Sequence, residues 1–179
     1  MVSINPATQP TDMRQMYDFV DFRSNKKQEI CFDSNSLSGI LKNQPDFSIF
    51  FHIVKKAFME AKLGDLQANY TLFVPSDAYL LKRYNRENLE RIDKGLALQI
   101  VQMSLMNRKI DSKLLKGSPV STFPTLNRSN SLQIQNVSNK TYLPCNTQVI
   151  HWNQPANNGI IHVTDNMIFP QDNMPIWSF

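Results

Sequence analysis

Three side chains near the C-terminal end of the sequence have the types and spacing of a small acid-base or metal site: His151, His162 and Asp165. His162 and Asp165 share one extended segment, "GIIHVTDNMIF", and His151 lies on the segment before it. Two imidazoles and a carboxylate brought together could bind a divalent cation or relay a proton. The set stops there, because no further ligand accompanies it. An imidazole on an apolar strand is also a group that bonds to neighbouring backbone, and the incomplete set favours that structural reading over an enzyme. Other catalytic spacings are absent: there is no G-x-S-x-G elbow, H-E-x-x-H pair, phosphate loop, dinucleotide fingerprint or C-x-x-C. Five glycines in 179 residues leave little material for a loop that wraps phosphates. No catalytic residue, metal or cofactor is therefore expected.

The elements that must hold these residues can be read from periodicity. Asn157-Asn158-Gly159 supplies residues that tolerate positive φ, so "TQVIHWN" and "GIIHVTDNMIF" are expected to form a hairpin. "SLQIQNV" alternates Leu132 and Ile134 with glutamines and reads as a half-buried strand, with "TYLPCN" as another. The first half of the chain is helical. In "QPDFSIFFHIVKKAFMEAKLGD", Phe47, Phe50, Phe51, Val54, Phe58 and Ala61 fall on one face, with Asp46 as N-cap, Gly64 as stop and His52 on the polar flank. The phenylalanines are read as core. "YTLFVPSDAYLL" reads as a short strand, Tyr70 to Val74, ended by Pro75 and feeding a helix capped by Ser76 or Asp77. "NRENLERI" and "KGLALQIVQMSLM" follow as helical pieces, the second with Leu96, Ile100 and Met103 in register. Helices first and antiparallel strands after indicate an α+β domain. Before it, Met13, Met16, Tyr17 and Val20 form the apolar face of a possible short helix in an N-terminal extension.

Composition bounds the rest. Apolar residues make up 41% and charged residues 19%, a globular balance with an amide-rich surface. The net charge is +4, and residues 100 to 150 hold Arg108, Lys109, Lys113, Lys116, Arg128 and Lys140 against one acid, Asp111. That patch suits phosphates or an acidic partner, but no interleaved aromatics or nucleic-acid-binding signature accompany it, so no nucleic acid is expected. "MVSINPATQPTDMRQ" shows no signal peptide, and "FSIFFHIV" is too short to span a bilayer. Cytosolic synthesis without membrane insertion is expected, the final location being open to an assembled particle or a surface. Cys31 and Cys145 are read as reduced, partly buried thiols. Four sequons, at Asn69, Asn127, Asn136 and Asn139, carry little weight in so Asn-rich a chain.

Two stretches, "YTLFVPSDAYL" and "NNGIIHVTDNMIFP", together resemble the fasciclin (FAS1) domain. Thr71, Phe73, Pro75, Ser76, Asp77 and Ala78 match the family's first motif; Asn158, Gly159, Ile161, His162, Asp165 and Pro170 match its second. Thr164 stands where an aliphatic residue is usual. The resemblance implies a wedge of two small, mainly antiparallel β-sheets flanked by helices in the N-terminal half. It also implies adhesion or surface contacts without catalysis, and a structural role for the two motifs. It divides the chain into an extension (1–36), a fasciclin-like domain (37–170) and a tail (171–179). Two departures stand out: Met103 and Ser104 replace the family's frequent Tyr-His pair, and Asn153 and Gln154 replace the Asp-Ile of animal members implicated in integrin engagement. They argue against integrin contact of that kind and leave a protein-binding role. Asn153, Gln154, the apolar N-terminal face, and Trp177 and Phe179 of the tail "NMPIWSF" are the candidate partner contacts, with the tail also able to fold back on its own domain. The expected function is a non-enzymatic interaction or adhesion module. The alternatives are a structural component of a larger assembly, such as a large virus particle, and, with less support, an enzyme using His151, His162 and Asp165.

Overall fold

The computed structural model describes residues 31–171 together with Met174, Pro175 and Trp177. The chain divides between Cys31 and Phe32, and the described helices and strands all belong to the unit that starts at Phe32. Helices come first: α1 (Leu37–Asn43), a 3-10 turn (Pro45–Phe47), α2 (Ser48–Lys56) and α3 (Glu60–Leu63). Strand β1 (Tyr70–Pro75) then leads through α4 (Asp77–Arg83), α5 (Arg86–Glu90) and α6 (Lys94–Ser104) to the two-residue β2 (Leu105–Met106). After α7 (Ser112–Leu115) the chain is extended: β3 (Val120–Pro124), β4 (Ser131–Val137), β5 (Lys140–Leu143), β6 (Thr147–Ala156) and β7 (Gly159–Thr164). This is the expected α+β order.

One seven-stranded sheet, in the order β2-β1-β7-β6-β5-β4-β3, replaces the expected pair of small sheets. Its centre is the parallel pair β1–β7, with Phe73 beside His162; the other pairings are antiparallel. Two register irregularities in β6, between Val149 and His151 and between His151 and Gln154, keep the ladder continuous while bending it. The bend lets one sheet supply two layers. Leu72, Val74, Ile161 and Val163 pack with Phe47, Phe50, Ile53, Ala97 and Ile100 of the helices. Phe73 points the other way, into a second cluster with Leu132, Ile134, Leu143 and Val149. Every residue of β1 and β7 is buried for that reason, and their near-continuous apolar runs are those of strands covered on both faces.

The long helix expected over residues 46–63 is broken. Phe58 adopts φ 54° and is 72% exposed, rather than lying on the core face. Its N–H donates to the carbonyl of Lys55, and that of Met59 to the carbonyl of Val54, which is the closing pattern of a helix that ends at Lys56. The left-handed position after such an end favours glycine; here a phenylalanine occupies it, with the Lys94 ammonium 4.4 Å from its ring centroid. Ala61 is exposed as well, and Ile49, Ile53 and Ala57 take the places in the core. Phe58→Gly is expected to stabilise the fold by about 0.5–1 kcal/mol, because relief of the left-handed strain outweighs the weak cation–ring attraction that the phenylalanine supplies; a higher urea midpoint would show it.

The turns also depart from expectation. Asn157 and Asn158 keep negative φ, so the β6–β7 turn is not the left-handed one, and Gly159 is required instead by a close approach. A Cβ on it would stand 2.2 Å from the carbonyl oxygen of Tyr70. The left-handed two-residue turn occurs between β4 and β5, at Ser138 (φ 49°) and Asn139 (φ 64°). Both cysteines are free thiols: Cys31 is exposed, and half-buried Cys145 donates to the carbonyl of Phe169, with burial raising its pKa.

Candidate functional site

The first motif forms a crossed pair of helix caps. Asp46, expected to cap its own helix, instead accepts from the N–H of Ala78 (3.2 Å) and the hydroxyl of Ser76 (2.6 Å) at the start of α4. Asp77 returns the contact, accepting from the N–H of Ile49 (3.0 Å) and from the hydroxyl of Ser48 at the start of α2. Each helix is thus finished by the carboxylate of the other, and the partial positive charge at each N-terminus meets an anion. Asp77→Ala is expected to cost about 1–2 kcal/mol, the range of a lost cap, with Asp46→Ala similar and the double variant costing less than the sum. A double-mutant cycle by chemical denaturation measures this. Pro75 ends β1 buried beside Thr164, and Ser76 donates its N–H to the Thr164 carbonyl (3.0 Å).

The second motif closes the domain. Asn158, 1% exposed, accepts from the N–H of Leu37 (2.8 Å) and donates its amide to the carbonyls of Leu63 (2.8 Å) and Asp65 (3.0 Å), while its own carbonyl accepts from Tyr70 (2.9 Å). One side chain therefore ties the start of α1, the end of α3 and the turn before β1. Asp165 accepts from the N–H of Gln148 (2.8 Å) and pairs with Arg83 at 3.3 Å, fastening α4 to the start of β6.

His162 is fully buried between the rings of Phe73 (centroids 5.5 Å apart) and Trp152 (5.0 Å). Its Nε2 lies 2.8 Å from the carbonyl of Ile110, so it carries the hydrogen; Nδ1 accepts from the N–H of Asn153 at 3.1 Å. Both nitrogens are committed to backbone in the neutral form. Burial lowers its pKa, against smaller raising effects of the Ile110 bond and the Asp111 charge. Thr71 completes the cluster: its hydroxyl donates to the carbonyl of Arg108 and accepts from the N–H of Ile110, both at 2.7 Å. Thr71 and His162 thus hold the two sides of one peptide segment that crosses from β2 to α7.

His151, His162 and Asp165 are not brought together. His151 is exposed and the His162 ring is buried, while Asp165 is engaged with Gln148 and Arg83. Among the described residues no group of three potential ligands could hold a metal ion. His52 sits elsewhere, on a cavity of about 310 Å³ lined by Ser48, Ile49, Arg86, Leu89 and Glu90. Burial lowers its pKa, and Lys56 and Lys55 lower it further.

Of the candidate contact residues, Asn153 sits in the β6 bulge opposite His162 at φ 60°, a conformation that asparagine tolerates well. Its side chain accepts from the N–H of Ser112 (3.0 Å) and donates to that hydroxyl (2.7 Å). Gln154 donates to the Gln44 side chain (2.8 Å). Trp177 packs edge-on against Tyr84 (5.2 Å) and Phe169 (5.9 Å), on its own domain. Met13, Met16, Tyr17, Val20 and Phe179 lie outside the described residues.

A sequence model of the Fasciclin domain matches residues 45–170, which include both motifs and the elements they join. The chain belongs to the fasciclin domain family. Among solved structures it is similar to a FAS1 domain pair from the insect cell adhesion molecule fasciclin I, at 21% identity and a TM-score of 0.65. That match covers 77% of this chain and 52% of the other, so the chain spans about half the length of the structure it resembles. A comparison with curated proteins gives no match.

Within this fasciclin domain the residues that depart from the family pattern have local explanations. Met103 is buried in the second cluster, and Ser104 donates its hydroxyl to the carbonyl of Ile100 within α6. The sequence marks Asp46 as a cap but not of α4, and it does not mark Ser112 as the partner of Asn153. "PDFS" and "PSDA" each begin a helix with an aspartate and a serine, a symmetry that signals paired caps, whereas nothing near Ser112 announces Asn153 as its partner.

Proposed function

We propose that this chain acts as a non-enzymatic interaction module of the fasciclin type, presenting protein-binding surfaces on a rigid frame. The observation that carries this reading is the commitment of the motif side chains. His162 spends both nitrogens on backbone, and Asp165 is bound by Gln148 and Arg83. General acid-base work needs a group within reach of a substrate proton, and His162 is fully buried. The reading is also supported by the family match, since fasciclin domains mediate protein contacts. Among the described residues no helix is long and apolar enough to cross a membrane. Asn153, Gln154 and Trp177 remain proposed contacts, each of which would exchange an internal partner for an external one. The test is affinity capture from the native source with mass spectrometry of accompanying proteins. A reproducible stoichiometric partner, retained by a His162→Phe variant that stays folded, is expected; turnover of a small substrate that vanishes in that variant would overturn the reading.

A further inference from the structure

The sheet has two edges of different character. At one, β2 is only two buried residues, and the carbonyl of Leu105 already accepts from the N–H of Leu126. At the other, β3 has β4 as its neighbour among the described residues and is exposed or half-exposed along its length. The Asn136 N–H donates to the Pro119 carbonyl (2.8 Å), and this fixes the phase of the β3–β4 ladder. Ser121 and Phe123 turn their backbone groups toward β4, so the N–H and C=O of Val120 and Thr122, and the C=O of Pro124, face outward. Natural edges are protected by lysines, prolines, bulges, inward charges or short length. "VSTFP" carries no charge, no bulge interrupts its register, and its one proline is the last residue, so the outward N–H groups of Val120 and Thr122 remain.

Cations flank this edge. The Arg108 guanidinium lies 5.8 Å from the ring centroid of Phe123, in β3 itself; Lys116 borders a cavity beside Pro119, just before β3 begins, with its ammonium 4.7 Å from the ring centroid of Trp152 on β6. Both are exposed, and neither forms an ion pair with a described carboxylate. Asp111, the one acid against six bases in residues 100 to 150, uses its carboxylate to cap α7 through the N–H of Leu114 (3.1 Å). A polar cavity of about 490 Å³, bordered by Lys116, Ser118, Asn136 and Thr141, continues from the start of β3.

We propose that β3 is the docking edge for an extended acidic segment of a partner protein, which adds to the sheet as a further strand with its carboxylates toward Arg108 and Lys116. This rests on the interaction-module reading above and names the surface and the partner chemistry. Outward backbone groups need a partner with a ladder of its own, which a peptide has and a polyanion lacks. A second copy fits worse, because pairing β3 with itself sets two sets of like cations against each other. Nucleic acid would need open rings for stacking, and Phe123 and Trp152 have cations over them.

The test uses the full chain and a ten-residue peptide of alternating threonine and glutamate, with a threonine–lysine peptide and a sulfated polysaccharide as comparisons. The acidic peptide is expected to slow amide exchange at Val120 and Thr122, with affinity falling as salt is raised. Thr122→Pro removes an outward N–H without breaking the β4 ladder, and should weaken binding at least about tenfold at an unchanged melting temperature. Arg108→Glu with Lys116→Glu should weaken it to a similar degree and leaves the strand backbone intact should the proline variant unfold. No binding, equal binding of the lysine peptide, or binding that leaves the Val120 and Thr122 amides unprotected would overturn the proposal. Polysaccharide binding without amide protection, in place of peptide binding, would reassign the surface to polyanions and overturn it too. If native-source partners are captured equally by folded Thr122→Pro protein, this edge is wrong and the interaction module stands; if the unaltered chain captures none, the module reading itself fails.

Discussion

Replacing Asn158 with alanine is expected to cost about 3–5 kcal/mol, because it strands the Leu37 N–H and the carbonyls of Leu63 and Asp65 at once. The first two bonds are fully buried, so water cannot readily replace the lost partner. For a domain of this size the loss corresponds to a drop of roughly 10 °C in melting temperature. Asn158→Asp is the sharper comparison. It keeps the acceptor for Leu37 and sets an anionic oxygen against two carbonyls, so it should destabilise at least as much despite its size. Urea unfolding of both variants decides: a cost below about 1 kcal/mol for alanine, the worth of one ordinary hydrogen bond, would show that Asn158 is not what joins these elements.

The second large effect concerns His162 and has a pH signature. His162→Phe keeps an aromatic ring between Phe73 and Trp152 but leaves the Asn153 N–H and the Ile110 carbonyl without partners, for an expected cost of about 2–4 kcal/mol. Burial lowers the folded-state pKa below the ordinary value of 6.5, so below pH 6.5 the unfolded chain binds a proton that the folded one refuses. Stability from this residue is therefore full above pH 6.5 and lost as pH falls from there toward the folded-state pKa, at up to about 1.4 kcal/mol per pH unit. His162→Phe should flatten the stability profile below pH 6.5. Part of the slope should survive in the variant, because the lowered pKa of His52 acts in the same direction. An unaltered slope would mean that His162 binds its proton equally well in the folded and unfolded chains, and that burial does not lower its pKa.

Much of this fold was legible in the sequence because its signals are local. The strand at Tyr70–Pro75, the helix after it, α6 and the alternation of Leu132 and Ile134 depend on burial repeated at a fixed spacing. What escaped is what depends on distant partners or on backbone geometry. The break at Phe58 is invisible to periodicity, since phenylalanine continues an apolar stripe as well as a helix and gives no warning of a left-handed position. β3 was missed because an exposed edge strand buries too little to alternate clearly. The single curved sheet requires the β6 bulges, which lie where His151 and Asn153 look like ordinary strand residues. At the site, the structural reading of His162 came from an incomplete ligand set. Its partners, Ile110 and Asn153, offer backbone groups, and backbone groups leave no mark on residue identity.

The parallel pairing of β1 with β7 has a consequence for synthesis on the ribosome. β1 is apolar and buried on both faces, yet the strand that lies beside it runs from Gly159 to Thr164, close to the end of the domain. At roughly 5–20 residues per second, β1 spends on the order of five to twenty seconds outside the ribosome before β7 follows it out. During that interval "YTLFV" is a sticky segment without its native neighbour, held from premature association only by the helices already formed around it. A nascent chain of this protein is therefore most vulnerable to misassembly in its middle period, and coexpressed holdase chaperones should raise its soluble yield more than they raise its final stability.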